Sequence, residues 1–130
     1  MKDLEQEVKT YLEERKWNTL RPGDLAKSVA IEAGELLELF QWDNPSLEET
    51  KQDPERVSKI KKELADVLIY CIDIAVLLEL DTAAIIREKL DHIRKKYPAE
   101  LFLSREEGKD SGTEDIYWKI KKEYRKNGDV

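Results

Sequence analysis

Two acidic spacings stand out because of where they fall on helical faces. In the stretch 25–40 the apolar residues Leu25, Val29, Ala33, Leu36, Leu39 and Phe40 define one arc, at about 100° per residue. Glu32 projects inside that arc and Glu35 lies three residues on, at its flank. Farther along, Glu63, Asp66 and Tyr70 form an i, i+3, i+7 stripe at the edge of a second apolar arc. If the two faces pack together, four carboxylates converge, and like charges brought close in a partly desolvated setting repel strongly. A cation must then sit among them. The donors are all oxygens, because the sole histidine, His92, is read as lying opposite the apolar face of its own helix. Hard divalent ions fit such a set, Mg²⁺ first and Mn²⁺ second. A di-iron bundle would want Glu-x-x-His motifs, and the sequence has none. In a chain with 40% charged residues a single Glu-x-x-Glu pair is ordinarily a solvated surface pair; two pairs bordering two apolar faces carry the reading.

The elements that must position these acids are helical. Leu4, Val8, Tyr11 and Leu12 predict a first helix over about 3–16, ending near Trp17 and the Arg21-Pro22-Gly23 turn. A second helix follows Asp24 and runs to about Trp42, where Asp43-Asn44-Pro45-Ser46 stops it. The polar stretch to Asp53 is a loop with room for one helical turn. Asp53-Pro54 opens a third helix, apolar at Val57, Ile60, Leu64, Val67, Leu68, Cys71, Ile74, Ala75 and Leu78, reaching about Leu80. Asp81-Thr82 caps a fourth, whose core face is read as Ala83, Ile86, Leu90, Ile93 and Tyr97, ending at Pro98. Ser104 to Gly112 reads as a linker, and Thr113-Glu114-Asp115 opens a short last helix, Ile116 to about Lys126. The expected architecture is all-α: four main helices in a bundle-like fold over 1–103, then a linker and C-terminal helix over 104–130.

Composition narrows the function classes. With 23 Lys and Arg against 29 Asp and Glu, the net charge of −6 disfavours a nucleic-acid polymer as partner. The lone Cys71 cannot form an intramolecular disulfide and, inside the run Val67-Leu68-Ile69-Tyr70-Cys71-Ile72, is expected to be a buried thiol in a reducing compartment. No apolar run approaches the roughly 18 residues of a membrane span. Met1-Lys2-Asp3-Leu4-Glu5 is followed by no apolar stretch. The expectation is a cytoplasmic protein with no membrane partner.

The stretch Ile31-Glu32-Ala33-Gly34-Glu35-Leu36-Leu37-Glu38-Leu39-Phe40-Gln41-Trp42, then Glu63-Leu64-Ala65-Asp66-Val67-Leu68-Ile69-Tyr70, then Lys96-Tyr97-Pro98, closely resembles the MazG-like all-α nucleoside triphosphate pyrophosphohydrolases, above all their dCTP pyrophosphatase branch. The match runs over about residues 8–101. It implies hydrolysis of a (deoxy)nucleoside triphosphate to monophosphate and pyrophosphate in nucleotide-pool house-cleaning. Mg²⁺ would be held by Glu32, Glu35, Glu63 and Asp66. Glu35 or Glu38 would take a proton from, or orient, the attacking water. Trp17 and Trp42 match the family's base-stacking aromatics, and the hydroxyl of Tyr70 shares a face with the acids. Lys89, Ile93 and Lys96, at i, i+4, i+7, form a strip able to meet a triphosphate. Ile93 stands where the branch usually has Asn, and the segment from Trp17 to Pro22 is one residue shorter, with Leu20-Arg21 where a His-containing pair is common. Those departures bear on the base and leave the metal chemistry untouched, so shallow discrimination among bases is expected. The family is usually a homodimer or a dimer of dimers. A reading from a different class is a metal-binding helical interaction module that docks a partner through Ile116-Tyr117-Trp118.

Overall fold

The computed structural model describes residues 1–103 and 111–128. They form six α-helices and one 3₁₀ turn with no strand among the described residues: α1 (Lys2–Glu14), α2 (Pro22–Glu38), α3 (Leu47–Lys51), α4 (Pro54–Leu77), α5 (Thr82–Lys96), the 3₁₀ turn Ala99–Phe102 and α6 (Ser111–Lys126). The fold is all-α, as the periodicity requires. No helix among the described residues is long and apolar enough to cross a membrane. The chain divides into two compact units, 1–83 and 84–130.

In the first unit α4 is the central helix, packed along α2 and also against α1 and α3. Its start is fixed locally: the Asp53 side chain accepts the Arg56 N–H at 3.1 Å, and Pro54 occupies the first helical turn, where a missing N–H costs nothing. Arg56 then reaches across to the end of α2. Its guanidinium donates to both Asp43 carboxylate oxygens at 2.9 and 2.7 Å and to the Leu39 carbonyl at 2.6 Å, and lies 5.2 Å from the Phe40 ring centre. α2 ends at Glu38 rather than near Trp42: the N–H groups of Leu39, Phe40 and Gln41 bond three residues back, and the Leu39 carbonyl, left over beyond them, is taken by Arg56. The single turn allowed for in the following loop is α3, opened by a reciprocal cap in which Ser46 Oγ accepts from the Glu49 N–H and Glu49 accepts from the Ser46 N–H.

Helices α1 and α4 close in the same way. Lys16 and Glu79 both adopt positive φ, 57° and 56°. The following residue folds back in each case, Trp17 N–H to the Leu12 carbonyl and Leu80 N–H to the Ala75 carbonyl, both at 2.8 Å. These are left-handed closures of the kind that satisfy a helix's last carbonyls. Between the helices lies the core of Val8, Leu12 and Ile72, backed by Val76 and Leu77, with Leu12 only 1% exposed.

The second unit corrects the reading of α5. Ile86, Leu90 and Ile93, read as its core face, are exposed. Of the expected face Tyr97 is packed, stacked on Tyr117 at 5.1 Å, and the side that carries His92 and Lys96 is packed as well: the His92 ring meets Tyr124 edge-on at 6.3 Å, and Lys96 is 8% exposed with its ammonium 4.9 Å from the Tyr124 ring centre. Placing His92 away from the packed face was therefore wrong. The physical reason is that α6 brings aromatic rings to that side, and rings bind a cationic stem as readily as an alkyl one. The expected linker at 104–112 falls largely outside the described residues, and α6 begins at Ser111, earlier than the capping pattern at 113–115 suggested. Cys71 is a further correction. It is exposed, because it lies on the stripe of α4 that also carries the exposed Leu64, Leu68 and Leu78, turned away from α1 and α2.

Candidate functional site

The packing of α2 along α4 brings the two acidic spacings together. One carboxylate oxygen from each of Glu32, Glu63 and Asp66 lies within 4.8 Å of the others, and all three side chains are half-buried. Glu32 Oε2 and Glu63 Oε2 are buried and have no hydrogen-bond partner among the described residues. Buried carboxylate oxygens without a partner, in a group of three acids, are what a hard cation would satisfy, and a donor set made only of carboxylates fits Mg²⁺ or Mn²⁺.

Glu35 stands at the exposed rim of this group. Hydrogen-bonding contact with Glu32, then the charge of Glu32, pushes its pKa above the ordinary value, against an opposing contact with Glu63. The Glu63 carboxyl is also raised, first by desolvation between the helices, then by contact with Glu35 and its charge, with Lys62 pulling the other way. Glu38 is exposed and reaches the group only through a weak push of its charge on Glu35. For Glu35 the rise comes first from its contact with Glu32, and for Glu63 first from desolvation.

Asp66 also lines a neighbouring cavity of about 400 Å³, together with Trp17, Leu20, Ile69, Tyr70 and Asp73. A volume of that size suits a small-molecule site. The left-handed closure of α1 sets Trp17 there, where it meets Tyr11 edge-to-face with ring centres 5.8 Å apart. A larger cavity of about 630 Å³, between α1 and the end of α4, is lined by none of the candidate site residues. Trp42 lines neither cavity: beyond the clamped end of α2 it is 89% exposed. In the second unit Lys89 and Ile93 are exposed on α5, whereas Lys96 is packed under the rings of Tyr97 and Tyr124. The expected strip is thus divided within its own helix.

Asp73 was missed by the sequence reading. It is 4% exposed, and burial raises its pKa. A signal was present, since residues 63, 66, 70 and 73 continue one helical stripe by a further i+3 step.

The MazG-like family profile matches residues 27–110, a span that carries Glu32, Glu35, Glu63, Asp66 and Tyr70. The chain belongs to the MazG-like family. This MazG-like protein is 33% identical over 104 residues to human dCTP pyrophosphatase 1 and 30% identical over 103 residues to its mouse counterpart. Each alignment covers 78% of the chain, which spans only 61% of the length of those relatives. Among solved structures it is similar to a pyrophosphatase from Archaeoglobus fulgidus, with 34% identity and a TM-score of 0.64, over 75% of this chain and 92% of that one. The acidic group and the cavity beside it therefore sit on a MazG-like scaffold.

Proposed function

We propose that this protein is a Mg²⁺-dependent nucleoside triphosphate pyrophosphohydrolase that releases pyrophosphate and a nucleoside monophosphate, serving the cytoplasmic nucleotide pool. The observation that carries the reading is that Asp66 belongs at once to the three-acid group and to the aromatic cavity, so a phosphate-binding centre and a place for a base share a wall. The human and mouse relatives carry the name dCTP pyrophosphatase and the archaeal structure that of a pyrophosphatase, which supports the same reaction class.

Glu32, Glu63 and Asp66 would hold the cation, with Glu35 completing the set from the rim. When bound, the ion supplies neutralisation of the phosphate charge and acidity to a water beside it. The chain's own groups do the rest. Glu35, whose proton affinity is raised by Glu32, is suited to accept the proton of the attacking water, with Glu38 as the alternative base or orienting group. Trp17 offers a ring face for the base and Tyr70 a hydroxyl for a phosphate oxygen. Trp42, Lys89, Ile93 and Lys96 are proposed as substrate contacts on the family resemblance alone. Self-association as a homodimer or homotetramer is part of the proposal. It is supported by the exposed apolar stripe of α4, Leu64, Leu68 and Leu78, and by exposed Ile31 and Leu37 on α2, and light scattering would report the oligomer's mass.

The deciding experiment is pyrophosphate release from the eight standard nucleoside triphosphates, with Mg²⁺ and with EDTA, for the protein and for Glu32→Gln and Glu63→Gln. Metal-dependent release abolished in both variants is expected. Release that survives either substitution, or none from any triphosphate, refutes the assignment.

A further inference from the structure

The acidic group occupies a part of the seam between α2 and α4 that has no core to hold it. Leu25, near the start of α2, and Ile72 and Ala75, near the end of α4, are buried, but no residue from 26 to 71 is. Glu32, Glu63 and Asp66 therefore meet where little apolar surface is covered, and the repulsion among them drives the two helices apart. What opposes it lies farther along the same seam. Leu39 follows Glu32 by seven residues and Arg56 precedes Glu63 by seven, so each lies on the stripe of its acid, about 10 Å away along the helix axis. There the Arg56 guanidinium grips both carboxylate oxygens of Asp43 and the Leu39 carbonyl, a forked contact on a side chain only 18% exposed. The Lys9–Glu13, Lys27–Asp24 and Lys59–Glu55 pairs each tie a helix to itself. Arg56 ties the start of α4 to the segment that leaves α2.

We propose that Arg56 is a positioning residue for the cation site: its clamp on Asp43 and Leu39 holds Glu32 against Glu63 and Asp66 before the ion arrives. This rests on the reading of those acids as cation ligands given above. A bound ion draws the carboxylates together by itself. Without the clamp, part of its binding free energy goes into closing the seam, and affinity falls; a site held in advance at its bound spacing has no such cost. The sign of the effect separates clamping from plain electrostatics. Arg56 carries a positive charge on the stripe of the acids, so by Coulomb's law alone its removal would tighten the binding of a cation. Clamping predicts the reverse.

The test measures Mg²⁺ binding to metal-free protein by calorimetry, for the protein, Arg56→Ala and Arg56→Lys, with Val8→Ala as the control, a truncation in the core beside Leu12 and Ile72. Affinity should fall about tenfold or more in Arg56→Ala, the loss met when groups that orient metal ligands are removed. Arg56→Lys keeps the charge but replaces a fork with a single ammonium, and should also bind more weakly. Val8→Ala should lower the urea midpoint and leave Mg²⁺ affinity unchanged, since lost stability alone does not alter the folded site. Affinity that is unchanged or tighter in Arg56→Ala, or unchanged in Arg56→Lys should the alanine variant not fold, overturns the inference while leaving the cation site intact. An equal loss in Val8→Ala overturns it too. If the unaltered protein binds no Mg²⁺, the cation reading fails and melts in EDTA decide the clamp: the rise in melting temperature given by Glu63→Gln should shrink in Arg56→Ala, whose helices have already parted. An equal or larger rise, which the lost attraction between Arg56 and Glu63 would give by itself, overturns the inference.

Discussion

Saturating the acidic group with Mg²⁺ should raise the melting temperature by a calculable amount. Glu32, Glu63 and Asp66 hold their carboxylate oxygens within 4.8 Å of one another, and two of those residues have a buried, unpartnered oxygen. A divalent ion therefore binds the folded chain and has no comparable site in the unfolded one. At a hundred times Kd that preference is worth about 2.7 kcal/mol. Unfolding entropy near the midpoint is about 2.1 cal/mol/K per residue, or about 270 cal/mol/K for all 130 residues. The shift is then about 10 °C if the whole chain melts together, and about 15 °C if the first unit, 1–83, melts alone. Differential scanning calorimetry with Mg²⁺ and with EDTA reads it directly. Glu63→Gln should cut the shift and, by removing one of the crowded charges, raise the melting temperature in EDTA. A shift under about 2 °C at saturating millimolar Mg²⁺, or the same shift in Glu63→Gln, would refute the reasoning.

The same carboxyls set the response to pH. Glu35 and Glu63 have raised pKa values in the fold, so the stability each contributes is complete below the ordinary value of 4.5 and is lost as pH rises through the raised one; Asp73 acts in the same direction from its own ordinary value of 3.8. Melts in EDTA should therefore rise as pH falls from neutral toward about 4.5, while the Mg²⁺ increment shrinks over that window as protons compete for the oxygens. Leu12→Ala, at a position 1% exposed, should cost about 2–5 kcal/mol in urea titration. Trp17→Ala should weaken nucleotide binding by about 1–3 kcal/mol, the range found for bases stacked on aromatic side chains, measured by calorimetry on folded protein. Trp42→Ala should leave unfolding free energy within about 0.5 kcal/mol, since its ring is 89% exposed, and a larger loss in urea titration would show that the ring packs against something.

The acids were legible because a helix converts spacing into direction: Glu32 inside one apolar arc, and Glu63 with Asp66 at the edge of another, can meet only if those faces pack, and α2 does pack along α4. Asp73 was not seen because it sits in the apolar run 67–78, where a lone acid reads as noise until the stripe 63, 66, 70 is extended by one step. The face of α5 was misread for another reason. Periodicity locates apolar side chains without saying what covers them, and Ile86, Leu90 and Ile93 are uncovered in a single chain while His92 and Lys96 are held by rings of α6. The end of α2 is tightened by three-residue bonds at Leu39, Phe40 and Gln41, and its leftover Leu39 carbonyl is held by Arg56, eighteen residues beyond Glu38, a long-range bond that no local propensity encodes.

Trp17 hangs from the last turn of α1 by a backbone hydrogen bond to the Leu12 carbonyl, with Lys16 held at positive φ between them. Its bearing is therefore a matter of counting rather than of side-chain fit. Each residue added to or removed from α1 ahead of that turn rotates the ring by about 100° and slides it about 1.5 Å relative to the residues before the change. A single insertion after Val8 would set the anchoring of α1 against the aim of the ring. One or the other must give way. By contrast, residues 18–20 lie beyond the closure, and their number can change without altering the phase of Trp17. A chain built this way can vary the segment entering α2 while the indole keeps its place, with the helix serving as a ruler and the closing turn as its fixed mark.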